Sequence, residues 1–172
     1  MNITIKKIKR EEKNILKNLW QKYVYEYSQY SGNEMNNNGL FSEGIIDLYW
    51  IAKDFFPYFI RVNGKLIGFL LIDNDYPGFS DEVDFNLANF FIIYKYRRNG
   101  IGKYVINHIF NKYKGKWKLL YHPKNKVAKL FWLKTINEYT KGKYKIIKNS
   151  NDFVFKDGSK SHTILFNNKE QD

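Results

Sequence analysis

Residues 89–103, NFFIIYKYRRNGIGK, carry the strongest chemical signal in the chain. Four apolar residues, Phe90 to Ile93, lead into a basic turn that contains Gly100 and Gly102. After Gly100 the apolar residues recur with helical spacing. A strand that empties through glycine-rich backbone into a helix N-terminus is suited to hold an anion. The first N–H groups of a helix have no intrahelical partner, and the helix dipole adds partial positive charge there. Glycine lets such groups approach a phosphate with no Cβ in the way.

The elements that must position this turn can be read in order. Asn2 to Ile8 alternates as a first strand. Glu11 to Tyr30 places Ile15, Leu16, Leu19, Trp20, Tyr23, Val24 and Tyr27 on one stripe of a long helix. Residues 31–40, SGNEMNNNGL, are turn chemistry, and Glu43 to Lys53 is expected to form a second short helix that Pro57 follows. Tyr58–Val62 and Leu66–Ile72 flank Asn63-Gly64, a hairpin signal because both turn positions need positive φ. A third antiparallel strand spans Glu82 to Ile93 and ends in the glycine turn. Helix Ile101–Tyr113, strand Lys116–Tyr121 and helix Asn125–Tyr139, capped by its asparagine, follow. Lys143–Ile147 and Ser161–Phe166 are two late strands joined by a turn at Asp157-Gly158. The length of 172 residues suits one domain over 1–172, with residues 166–172 a polar tail expected to fray.

Two motifs within this order carry a family resemblance. Arg97-x-x-Gly100-x-Gly102 resembles the Arg/Gln-x-x-Gly-x-Gly/Ala signature of the GNAT superfamily of N-acetyltransferases. Downstream, Asn125-Lys-Val-Ala128-Lys-Leu-Phe131-Trp132 resembles that family's Asn-x-x-Ala-x-x-Phe-Tyr helix, and the element order matches over nearly the whole chain. The helix segment Tyr25 to Ser28 is similar to a bacterial subgroup. The resemblance implies an α/β fold with a mixed, mostly antiparallel sheet of about seven strands and about four flanking helices, splayed between the fourth and fifth strands.

The resemblance also implies a site. Its acyl donor would be acetyl-CoA, used as a cosubstrate with no metal. The backbone of Arg98, Asn99, Gly100, Ile101, Gly102 and Lys103 would hold the pyrophosphate. Phe90, Phe91 and Ile92 would pair with the pantetheine amides as an added strand does. Asn125 is either a pantetheine or pyrophosphate contact or a simple helix cap. Arg97, Lys103 and Lys129 are candidates for the ribose phosphate, or else solvated cations.

Catalysis departs from the family pattern. Direct transfer to an amine needs a neutral nucleophile and a stabilised oxyanion. The position that often carries a glutamate base is Asn86, which cannot act as one. Asp84 lies two residues earlier on the same strand face and is the substitute candidate, working through water, unless it is only a surface carboxylate. Glu82 is a more remote choice. The family's acid tyrosine is replaced by Trp132, whose indole N–H is not readily surrendered. Trp132 is expected to pack against the thioester arm on the acceptor side, with Tyr139 or Tyr121 as substitute hydroxyls. His108, His122 and His162 are scattered, with no metal spacing.

Charge is distributed unevenly. Residues 1–86 carry 10 basic and 12 acidic groups, whereas residues 87–172 carry 19 and 5. The basic half is either a solvated surface or a face for a polyanion. The acidic stretch Asp73, Asp75, Asp81, Glu82, Asp84, together with Glu26, would favour a small cationic amine as acceptor. Two alternatives are a tRNA-directed acetyltransferase and a regulatory domain that binds acetyl-CoA without turnover; nucleic acid is the less favoured partner. The absence of cysteine excludes disulfides and a thiol nucleophile. The apolar run Leu66–Ile72 is too short to span a membrane, so a cytoplasmic monomer or homodimer with no membrane partner is expected.

Overall fold

The computed structural model describes residues 1–44, 46–74 and 83–169. Seven strands form one sheet: β1 (Ile3–Lys7), β2 (Phe55–Val62), β3 (Lys65–Asp73), β4 (Phe85–Ile92), β5 (Lys116–Tyr121), β6 (Tyr144–Val154) and β7 (Lys160–Asn167). Their spatial order is β1-β2-β3-β4-β5-β7-β6. Every neighbouring pair is antiparallel except β4 and β5, which run parallel. The helices α1 (Lys13–Ser31), α2 (Ile101–Lys112) and α3 (Lys126–Thr140) cover its two faces.

Each face has its own apolar core. On one, Leu16 and Leu19 of α1 pack with Phe59, Phe69, Leu71 and Phe91 of the sheet. On the other, Val105, Ile106, Ile109 and Phe110 of α2 and Trp132 and Ile136 of α3 pack on Leu70, Ile72, Leu119 and Ile164. The helical periodicity of residues 101–110 is therefore a buried stripe, with Ile109 and Phe110 fully enclosed. Asn63 (φ 48°) and Gly64 (φ 78°) make the β2–β3 hairpin as their sequence requires.

Two expectations are corrected. Three α-helices stand among the described residues, and in place of the helix expected over 43–53 there is a short 3-10 helix over Ile46–Trp50. Gly44 (φ 58°) stands before it, and β2 begins at Phe55, which leaves no room for an 11-residue helix. Ile46 and Tyr49 are buried all the same, so the apolar pattern reported burial and not helix length. Pro57 is a strand residue. Its carbonyl accepts from Ile8 N–H (2.9 Å) on the β1 side, one position past the last pair, Lys7 with Tyr58. A missing N–H costs no ladder bond there.

Residues 166–168 do not fray. Phe166 is buried, and Asn168 is fully buried in a polar knot. Its amide donates to the Phe110 carbonyl (2.6 Å), and its Oδ1 accepts from Gly115 N–H (2.7 Å).

Candidate active site

The β4–β5 pair opens partway along its length. Parallel pairing joins only Phe85–Leu87 to Trp117–Leu119. From Ala88 to Ile92, β4 is paired to no strand on the β5 side among the described residues; on the other side Asn89 to Ile92 pair with β3, and Ala88 falls at a register shift. An extended amide chain could add to that five-residue edge by backbone hydrogen bonds. On the α2–α3 face the opening is lined by Phe90, whose ring stacks on Phe131 (5.8 Å) and lies 5.8 Å from Trp132.

The free edge runs into the glycine turn. Arg98 (φ 61°) and Gly100 (φ 76°) are left-handed, which curls the backbone so that its amides converge. The first hydrogen bond of α2 is Tyr104 N–H to Gly100 O (3.0 Å), so the N–H groups of Ile101, Gly102 and Lys103 precede it. Among the described residues no backbone carbonyl accepts from Arg98 through Lys103. A Cβ on Gly100 would meet open space, which is where an anion would lie. A Cβ on Gly102 would come within 3.1 Å of the Phe131 ring, so this glycine lets α2 and α3 close up. The turn and the free edge together fit a pyrophosphate followed by a diamide arm.

The structure separates the other expected site residues. Arg97 does not face the cradle. Its Nη1 and Nη2 donate to the two oxygens of Glu26 (2.7 and 2.6 Å), and Nε donates to the Ile92 carbonyl (2.5 Å). Its own N–H is taken by Tyr94 O (3.0 Å). Glu26 is consequently not a free carboxylate for an acceptor. Lys103 is ion-paired with Glu138. Asn125 is the N-cap of α3, with Oδ1 accepting from Ala128 N–H (2.9 Å). Trp132 is buried in the α2–α3 core against Phe90, which lines the opening, and Phe131.

Asp84 lies at the closed end of the β4–β5 pair. Its carboxylate accepts from Lys116 N–H (2.8 Å) and pairs with Lys169 (3.1 Å). Those contacts, the backbone hydrogen bond first, hold its pKa below the usual carboxylate range, which weakens it as a base. Position and chemistry both weigh against the role expected of it. Asn86 is nearer the opening. Its Nδ2 donates to Asp73 Oδ1 (3.0 Å), and Tyr49 O–H donates to Asp73 Oδ2 (3.2 Å). Asp73 is buried, and Asn86 Oδ1 is a buried acceptor with no donor among the described residues. Asp75, Asp81 and Glu82 lie outside the described residues.

Several residues at the opening were given no role in the sequence. Asn89 Nδ2 donates to Tyr23 O–H (3.1 Å), which ties α1 to the free edge of β4. His122, one residue past β5, is fully buried between the rings of Tyr27, Tyr30 and Phe155. Its Nδ1 accepts from Lys124 N–H (3.1 Å), which leaves the Nε2 proton directed at Asp157 (3.4 Å). Tyr23, Tyr27 and Tyr30 at helical spacing were a usable signal for this wall, but an amphipathic stripe reads as core by default. A groove of about 800 Å³ runs outside it, lined by Gln21, Tyr25, Glu26, Phe41, Phe91 and Tyr94 among others.

Burial lowers the His122 pKa below 6.5, outweighing Asp157, which raises it. The fold thus favours neutral imidazole. That contribution to stability is complete above the unfolded pKa of about 6.5 and is lost as pH falls through it toward the lower folded value. Urea unfolding should show the wild type weakening between about pH 7.5 and 5.5, and His122→Asn should reduce that slope. An unchanged slope would place the titrating group elsewhere.

Comparison with known proteins was consistent with this geometry. The sequence model of the acetyltransferase (GNAT) family matches residues 13–136. No curated protein matches the chain. An acetyltransferase from Thermus thermophilus superposes with a TM-score of 0.69 at 12% identity, covering 97% of each chain. A diaminobutyrate acetyltransferase from Paenibacillus lautus, with 2,4-diaminobutyric acid and coenzyme A, gives 0.65 at 14%, covering 99% of this chain and 98% of its own. A spermidine N-acetyltransferase from Vibrio cholerae, with coenzyme A and spermine, gives 0.63 at 12%, covering 98% and 96%. At these identities the likeness is one of fold.

Proposed function

The chain belongs to the GNAT family of acetyltransferases, and we propose that it moves the acetyl group of acetyl-CoA directly to the primary amine of a small acceptor, in a ternary complex. The family makes it an acyltransferase whose donor is acetyl-CoA. The observation that carries the reading is the free edge Ala88–Ile92 leading into the amides of residues 98–103, which donate to no backbone carbonyl among the described residues. A small amine as acceptor is supported by the spermidine and diaminobutyrate enzymes that share the fold.

In the proposed step the neutral amine attacks the thioester carbonyl, the C–N bond forms, the C–S bond breaks and coenzyme A leaves as thiolate. Backbone N–H groups on the free edge of β4 stabilise the oxyanion. Asn86, oriented by Asp73, offers Oδ1 as an acceptor for an ammonium or amine N–H, and the proton that the nitrogen loses goes to water. Asn86 cannot ionise. The logarithm of kcat/KM should therefore rise with unit slope up to the pKa of the amine itself. Asn86→Glu, which supplies a base, should flatten that rise. A bell-shaped wild-type profile with an enzyme pKa well below that of the amine would contradict this.

Thiol release from acetyl-CoA across polyamines, amino acids, aminoglycosides, peptides and charged tRNA tests the proposal. Release with a small amine is expected. Release with charged tRNA alone, falling steeply with salt, would replace it with an RNA-directed activity. Binding without release against the whole panel would replace it with a regulatory role.

A further inference from the structure

The arginine of the Arg-x-x-Gly-x-Gly turn is committed to a distant helix. Arg97 and Glu26 are 71 residues apart in sequence and meet in a bidentate pair, each about three-quarters buried. The guanidinium lies 4.1 Å from the Tyr94 ring centroid and 5.7 Å from that of Phe91. Nε holds the carbonyl of Ile92, the last residue of β4. Nothing in this arrangement directs the guanidinium at the cradle formed by residues 98–103.

The same face of α1 makes a second tie. Tyr23, three residues before Glu26, accepts from Asn89. The two ties therefore bracket the free edge of β4, one near its start at Asn89 and one just past its end at Arg97. We propose that Arg97 and Glu26 are positioning residues: their pair fixes α1 against β4 and holds the turn 98–103 in its anion-binding shape. This rests on the acetyl-CoA reading above. Its consequence is that the donor cradle and α1, whose Gln21, Tyr25 and Glu26 line the groove of about 800 Å³, form one unit. The pair is planar, bidentate and largely sheltered, unlike the exposed ion pairs that contribute little. Lysine could not reproduce it, because one ammonium cannot reach both Glu26 oxygens and the Ile92 carbonyl.

The competing role, Arg97 as a phosphate ligand held by Glu26 until coenzyme A arrives, predicts the opposite sign at Glu26. Coenzyme A binding is measured by calorimetry at several salt concentrations for the wild type, Glu26→Gln, Arg97→Gln, Arg97→Lys and the double Gln variant. Positioning predicts about a tenfold loss for each single variant, Arg97→Lys included. The double variant should lose no more than a single one, because one pair is broken once. The salt dependence should stay that of the wild type. The inference is overturned if Glu26→Gln binds as tightly as or more tightly than the wild type while Arg97→Gln loses affinity and salt dependence. Rescue by Arg97→Lys would also overturn it. Thermal melting identifies any variant that does not fold. In that case Glu26→Asp, which keeps the charge and shortens the reach, is expected to show an intermediate loss, and wild-type affinity in it would count against positioning. A wild type that binds no coenzyme A would sink the donor reading itself, a result distinct from normal binding that is indifferent to Glu26.

Discussion

Gly100→Val is expected to cut acetyl-CoA affinity by about two orders of magnitude while leaving the protein folded. Gly100 has φ 76° and is the N-cap of α2, where a Cβ would project into open space. The left-handed conformation costs an L-residue roughly 1–2 kcal/mol, and a β-branched one tolerates it least. That strain corresponds to a fall in Tm of only a few degrees in a domain of this size. Binding suffers far more, because the branched side chain occupies the approach to the converging amides. Losing one or two charge-assisted hydrogen bonds there costs about 3 kcal/mol, or roughly a hundredfold. Calorimetry measures the affinity and a melting curve measures the fold. A variant that binds normally would remove the turn as the anion site.

Gly68→Ala is expected to have the largest effect on stability. A Cβ at Gly68 would stand 2.0 Å from the carbonyl oxygen of Phe91 and 3.0 Å from its carbon. Those are backbone atoms of β4, so no rotamer change relieves the clash. Gly68 pairs with Ile92, and Ile93 N–H donates to Ile67 O (2.9 Å), so β3 and β4 are held in close contact just before the glycine turn. Ile67, Phe69 and Leu70 are fully buried, which leaves β3 little room to retreat. Overpacking against backbone at such a point should cost about 4 kcal/mol or more, near the upper end for single substitutions. A fall in Tm of roughly 10 °C or more is the expected result. Any variant protein that remains folded should also bind acetyl-CoA poorly, since the end of β4 must shift. Unchanged melting would mean that the two strands are less tightly apposed than described.

The contrast between these glycines indicates what the sequence disclosed. The local signals were legible. Asn63-Gly64 made its hairpin, Asn125 capped α3, and Gly100 opened α2, because each depends on backbone conformation within a few residues. The opening between β4 and β5 was available through the family resemblance and not through any pattern in the residues themselves. What the sequence could not disclose were partners. Arg97 and Glu26 looked like a phosphate ligand and an acceptor carboxylate because each bears the appropriate charge, and their mutual neutralisation depends on how α1 lies over β4. Asp84 lies one residue before β4, off the strand whose alternation was to place it beside Asn86, and the start of β5 and Lys169 engage its carboxylate. Asn168 looked like tail, and a single long-range knot of hydrogen bonds made it core.

The most direct measurement is a titration of ¹⁵N-labelled protein with acetyl-CoA, read at each backbone amide. The largest shifts are predicted for Arg98 to Lys103 and for the free edge Ala88 to Ile92. Small shifts are predicted at the closed end, Lys116 to Leu119. Saturation with no change at residues 98–103, or shifts gathered on another surface, would contradict the reading of this turn as the acetyl-CoA grip.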